Sequence, residues 1–288
     1  MQYVDFLGHK VSKLICGDNP FNGHSYIQNY VTGAEMLQYH TEDKILEAMH
    51  KMEELGINTM LPLADPYIIR ILRHYRYNGG KMNFIFQTYA PHMINYDAAK
   101  MSINAMMSVD PIAIYLSGTY TDVRFETGRN HEIIGMLEFL RTSGVPIGFG
   151  THRPDLIELC EKDNWDPDFY FACMYNARKN REGEESGFIT GKSKSGLTFN
   201  ANDRAIALET LKKIEKPIIA YKIFAGGQML VDKTAEEKRG LIKETYDTIF
   251  NTLKPNDFAC MGIFQKHHDQ LTENVEIFNQ WASEQEKR

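Results

Sequence analysis

Eight short apolar runs recur along this chain, and each is followed by a longer stretch with helical spacing. The runs are 13–17, 58–63, 83–89, 112–118, 146–152, 169–176, 217–224 and 258–264. Each is bounded by Gly, Pro, Asn or Asp, as buried parallel strands are. The intervening segments repeat apolar residues at helical intervals. In 41–56 a capping Thr41 opens the pattern, Ile45, Met49 and Met52 form its stripe, and Gly56 ends it. The segments 65–80, 95–108, 130–144, 153–162, 202–215, 237–253 and 271–285 behave alike, with Asp65, Asn130 and Asp203 in N-cap positions.

Eight strands alternating with eight helices is the count of an α/β protein of the (β/α)8 TIM-barrel class. An open doubly wound sheet would carry a glycine-rich first turn, and "CGDNPFNG" after the first run lacks that fingerprint. Residues 1–12 read as a short β-hairpin closing the bottom of the barrel. No composition break divides residues 1–288, which implies one domain. The segment 177–201 has no helical period and is rich in Gly, Ser, Lys and Glu, so it reads as a lid or mobile loop over the mouth.

A net charge of −6 gives no electrostatic case for nucleic acid or an anionic membrane. No apolar run reaches spanning length, and the first ten residues lack the core of a signal peptide. Cys16, Cys173 and Cys260 sit inside strand-like runs, as buried thiols of a reducing, cytoplasmic compartment would. The expected partner is a small-molecule substrate.

In a barrel of this kind, chemistry gathers where strands end. Asp18 directly follows the first run and would point into the mouth as a proton carrier or hydroxyl ligand. Asn19 beside it, and Gln87, Tyr89 and Arg153 at other strand ends, are expected substrate contacts. His152 closes the fifth run, either beginning a helix or serving the site. Lys222 interrupts the apolar run "PIIAYKIF". An interior lysine needs a carboxylate or water. It is there to bind an anion, to form a Schiff base with a carbonyl, or to pair with Asp18 or another rim acid. Gly226 and Gly227 would let backbone N–H groups approach an anion. No spacing marks a metal site, although Asp18 and His152 together offer a carboxylate and an imidazole.

The ordered stretches "FLGHKVSKLICGDNPFNG", "MEELGINTMLPLADPY", "GVPIGFGTHRPDLIELC", "DFYFACMYNARK", "PIIAYKIFAGGQML" and "MGIFQKHHDQLTENVEIF" resemble the aldo/keto reductase superfamily nearly end to end. The resemblance implies a barrel, an NADP or NAD cofactor and reduction of a small carbonyl or sugar-like substrate. It carries Thr151 and His152 onto the nicotinamide amide and Tyr175 onto the face of its ring. Lys222 falls against the pyrophosphate, Gln265 and Lys266 at the 2′-phosphate, and Glu273 and Asn274 at the adenine. The family's catalytic aspartate, lysine and histidine do not carry over. Their positions hold Leu61, Thr88 and Gly118, with Asp65 and Tyr67 shifted nearby.

Three functions follow from these residues. One is a divergent NAD(P)-dependent oxidoreductase. The second is a non-redox lyase, isomerase or hydrolase of a sugar-like or phosphorylated compound using Asp18, His152 and Lys222, with Tyr175 beside them. The third is a binding protein on an enzyme scaffold.

Overall fold

The computed structural model describes residues 1–176 and 199–287. Two strands, β1 (Tyr3–Phe6) and β2 (His9–Ser12), pair antiparallel as the expected hairpin. Eight more close a parallel barrel: β3 (Leu14–Gly17), β4 (Thr59–Leu61), β5 (Asn83–Gln87), β6 (Ala113–Leu116), β7 (Ile147–Thr151), β8 (Phe169–Cys173), β9 (Ile218–Tyr221) and β10 (Phe258–Met261), with β10 pairing β3. Every expected run supplies one barrel strand. The described part of the 177–201 loop begins at Phe199, and its residues 177–198 lie outside the described residues.

The helices are α1 (Gly33–Tyr39), α2 (Glu42–Glu54), α3 (Pro66–Tyr77), α4 (Tyr96–Met107), α5 (Gly118–Glu126), α6 (Asn130–Leu140), α7 (Pro154–Lys162), α8 (Asn202–Leu211), α9 (Ala235–Phe250) and α10 (Gln270–Gln285). Thr41 caps α2 by accepting from Lys44 N–H, and Asp65 caps α3 by accepting from Tyr67 and Ile68 N–H. Two cap expectations are corrected. Asn130 is the first helical residue of α6 and Arg129 is its cap. Asp203 lies in the first turn of α8, where its Oδ2 accepts from Asn176 N–H at 3.1 Å and ties that helix to the end of β8. No described helix is long and apolar enough to cross a membrane.

Two helices, α1 and α5, were not anticipated. The inner face of α5 carries Thr121 and Asp122, both fully buried, so it lacks an apolar stripe. Thr121 Oγ1 donates to Gly150 O at 2.6 Å and holds α5 against β7.

Glycines on β7 make room inside the barrel. A Cβ at Gly148 would lie 2.3 Å from the Phe169 ring, and one at Gly150 would lie 3.0 Å from Tyr115. Phe6 from the hairpin meets Phe169 and Phe258, the first residues of β8 and β10, each edge-on at 5.1 Å. The hairpin therefore plugs the bottom, as its position suggested. Phe6 is fully buried, so Phe6→Ala is expected to cost about 3–5 kcal/mol in urea unfolding. A loss below about 1 kcal/mol would mean that the plug is dispensable. All four cysteines are buried free thiols.

Candidate active site

The answer to the lysine in an apolar run begins with where the strand stops. β9 ends at Tyr221, and Lys222 turns into the left-handed region with φ +54. Ala225, Gly226 and Gly227 follow at φ +51, +61 and +94. Glycine adopts positive φ freely, so the strain of this turn rests on Lys222 and Ala225, and such strain is held only where the surroundings over-determine it. The turn's result is to carry the Lys222 amine across to β7.

There Lys222 Nζ lies 2.8 Å from His152 Nε2. His152 Nδ1 lies 2.8 Å from Asp122 Oδ2. Asp122 is fully buried, and His152 is 5% exposed. The carboxylate also accepts from Thr151 Oγ1 at 2.5 Å and from His152 N–H at 3.2 Å. Because a carboxylate only accepts, the histidine proton belongs on Nδ1. Nε2 then offers its lone pair to the lysine. Thr151 Oγ1 in turn accepts from Arg153 N–H at 3.0 Å, and Thr151 O accepts from Tyr221 Oη at 3.2 Å. Gly118 leaves space for this arrangement: a Cβ there would stand 3.0 Å from His152 Nδ1. The position where the resemblance expects a catalytic histidine is thus kept empty for the histidine of the next strand.

Asp18 lies on the opposite side of the barrel sheet, after β3. Its Oδ2 accepts from Leu63 N–H at 2.7 Å and from Asn22 Nδ2 at 2.8 Å. Burial pushes its carboxyl up to about 7, against the pull of those two hydrogen bonds and with a smaller push from Asp65. The sign of the linkage is fixed by the direction. The native state holds the Asp18 proton more tightly than the unfolded chain, whose value is 3.8. Stability from this group is therefore full below pH 3.8 and is lost as pH rises to about 7. The loss amounts to about 4 kcal/mol at about 1.4 kcal/mol per pH unit. Asp18→Asn should unfold like the parent at pH 4 and several degrees higher at pH 8. Equal midpoints at both values would mean that Asp18 ionises normally.

An aromatic floor joins the two sides. Tyr115, within electrostatic range of Asp18, packs 4.4 Å from Phe171, which stacks 3.9 Å from Tyr221. The Tyr221 ring meets His152 edge-on at 5.5 Å. Gln87 closes the floor by accepting from Tyr115 Oη at 2.8 Å.

Asn19 is half-buried, and its carbonyl accepts from the Asn22 and His24 N–H groups. Tyr89 packs against the His92 ring at 4.8 Å. Arg153 is paired with Asp155 at 2.6 Å and Glu126 at 3.3 Å. Tyr175 is 4% exposed and faces Phe199 at 5.7 Å. Gly226 and Gly227 pack on Tyr26 and Ile27. Lys266 is bound to Glu35 at 2.8 Å, and Asn274 is held by Tyr246 and Gln270, both at 2.8 Å. Thr151, His152 and Lys222 are therefore brought together. Lys266 and Asn274 are engaged with other parts of the chain.

Sequence reasoning places Asp122 on the rim after the fourth run but assigns it no role. Its signal was slight: an acid four residues into a helix that follows a barrel strand. Among the described residues no group of three His, Cys, Asp or Glu is disposed to hold a metal ion.

No family model matches the chain, and no curated protein matches it in sequence. Solved structures share its fold. A truncated 3-deoxy-D-arabino-heptulosonate 7-phosphate synthase from Thermotoga maritima aligns over 99% of this chain and 91% of its own, at 12% identity and a TM-score of 0.52. The glycerol dehydrogenase of Gluconobacter oxydans aligns over 98% and 94%, at 9% identity and a TM-score of 0.54. The holo form of an aldo-keto reductase from Bacillus halodurans aligns over 96% and 90%, at 12% identity and a TM-score of 0.57. At these identities the likeness is one of fold. Aldo-keto reductases are among the neighbours, and so is a synthase with the same TIM barrel. Function is therefore argued from the site.

Proposed function

We propose that this chain is a non-redox enzyme, a lyase or isomerase, acting on a small hydroxylated carbonyl compound through the amine of Lys222. The observation that carries the reading is the Asp122–His152–Lys222 relay, with both links at 2.8 Å. A nucleophile within reach of a base, and the base oriented by a third group, is the signature of an activated nucleophile.

The Lys222 ammonium passes one proton to His152 Nε2, and Asp122 holds the resulting imidazolium. The amine lone pair then attacks the carbonyl carbon while the C=O π pair moves to oxygen. That oxygen takes the proton back from His152 and becomes a hydroxyl; the attacking nitrogen, now cationic, gives up one of its two protons through His152 to that hydroxyl, and water leaves as the freed nitrogen lone pair forms the iminium. One ammonium and one carbonyl become one iminium and one water. The iminium draws electrons from the adjacent carbon, so a C–H or C–C bond there can break. Asp18, poised at about 7 by burial, suits the proton transfer at that carbon near neutral pH. The aromatic floor between them suits the apolar face of a polyhydroxylated chain.

The oxidoreductase reading rests on the scaffold. The groups that would grip a nicotinamide dinucleotide are taken up by the protein: Lys222 by His152, Lys266 by Glu35, Asn274 by Tyr246 and Gln270, and Gly226 by Tyr26. Lys222, Lys266 and Asn274 would have to leave these partners to meet NADP or NAD.

Two measurements test the choice. Incubation with small hydroxyaldehydes and hydroxyketones under cyanoborohydride should add one reduced adduct per chain, mapped by peptide mass to Lys222. Labelling spread over surface lysines alone would remove the reading. Titration with NADPH should leave protein fluorescence unquenched to millimolar concentration, and saturable quenching would restore the oxidoreductase.

A further inference from the structure

We infer that Gln228, Tyr26 and Phe199 form a positioning device that holds Lys222 as a cation beside His152 until a carbonyl arrives. This inference rests on the amine chemistry above for its purpose, but the device can be measured without it. Gln228 lies on the turn 225–230 that follows Lys222. Its carboxamide is bonded at both ends. Nε2 donates to Tyr26 O at 3.1 Å, and Oε1 accepts from Phe199 N–H at 3.1 Å. One side chain thereby anchors the backbone of two aromatic residues from separate loops.

Both rings face the lysine. Lys222 Nζ lies 4.6 Å from the centroid of Tyr26 and 5.7 Å from that of Phe199. The two rings meet edge-on at 5.6 Å. Tyr221 supplies a third ring at 5.3 Å. Gly226 admits the Tyr26 ring, since a Cβ there would stand 2.8 Å from Tyr26 Cβ and Cγ.

Ring faces attract an ammonium through the aromatic quadrupole and give almost nothing to a neutral amine. This aromatic box therefore favours the charged form of the side chain, while His152 and Asp122 stand ready to take its proton. Among the described residues, the other titratable groups around the amine are the Cys173 thiol on β8 and the hydroxyls of Tyr26 and Tyr221. Burial pushes Cys173 up to about 11 and Tyr221 well above its usual value, so both stay neutral near pH 7. A substrate carbonyl entering over the floor displaces ring contact and lets the proton leave. Tyr26 is in this sense a positioning residue, acting through Lys222.

The test is competitive acetylation with acetic anhydride, reading the Lys222 peptide by mass spectrometry across pH 6–11. Only the neutral amine reacts, and no substrate is needed. Tyr26→Phe keeps the ring and should give the parent profile. Tyr26→Leu and Gln228→Leu should move its midpoint toward lower pH by about half a unit or more. Thermal melts check that each variant is folded, and Gln228→Leu serves should Tyr26→Leu fail to fold. Profiles of Tyr26→Leu and Gln228→Leu that coincide with the parent would overturn the inference, even where reductive trapping at Lys222 succeeds. Shifted profiles with no trapping would keep the box and remove the carbonyl chemistry.

Discussion

Lys222→Met is expected to abolish reductive trapping and to lower turnover at least a thousandfold, with the thermal midpoint nearly unchanged. Methionine follows the same aliphatic path against Tyr26 and Tyr221, so packing is kept while the amine is lost. The informative companion is Lys222→Arg. A guanidinium keeps the charge and the reach but stays protonated throughout the accessible pH range. If Lys222 works as a nucleophile, the arginine variant is as inactive as the methionine one. If it only holds an anion or neutralises Asp122, arginine retains a substantial share of activity. A Lys222→Arg variant with more than a tenth of parental turnover would therefore sink the Schiff-base reading while leaving a charge role standing. Both variants keep a side chain at φ +54, so neither alters the backbone cost of that turn.

Much of the fold was legible because period and boundary agree along most of the chain. Each of the eight apolar runs contains one barrel strand, and Thr41 and Asp65 cap the helices they precede. α5 escaped because its buried face is polar: Thr121 bonds Gly150 and Asp122 bonds His152. Hydrophobic periodicity cannot report a helix whose inner face makes hydrogen bonds. The same fact left Asp122 on the rim without an assigned role. Lys222 was visible as an anomaly, but its partner was not. Asp18 and His152 both stood at strand ends, and the left-handed turn after Tyr221 is what sends the amine to His152, 70 residues away. Asp18 instead turns to Leu63 and Asn22. The resemblance to aldo/keto reductases found the right scaffold class. It placed cofactor contacts at Lys266 and Asn274, whose side chains are spent on Glu35 and Tyr246.

Asp122→Asn carries the second large effect and probes a different link. The carboxylate accepts from Thr151 Oγ1, from His152 N–H and from His152 Nδ1–H. An amide of the same shape can accept at one end only, and its NH2 facing the ring would force the proton from Nδ1 to Nε2. His152 would then present a donor to the Lys222 ammonium, and the amine could no longer shed its proton. A wrong tautomer of this kind costs roughly 10⁴-fold in a base–nucleophile pair, as in the serine protease triad. The stability loss should be smaller, about 1–3 kcal/mol, because the hydrogen-bonding shape is partly kept. Asp122→Ala would cost more, about 3–5 kcal/mol, since it strips a fully buried partner from the relay. The decisive readout is the nitrogen NMR of His152. The parent should show a protonated Nδ1 and the asparagine variant a protonated Nε2, alongside loss of trapping at Lys222. A variant with the parental tautomer and undiminished trapping would mean that Asp122 merely fills a polar pocket between α5 and β7, and the amine would need another source of activation.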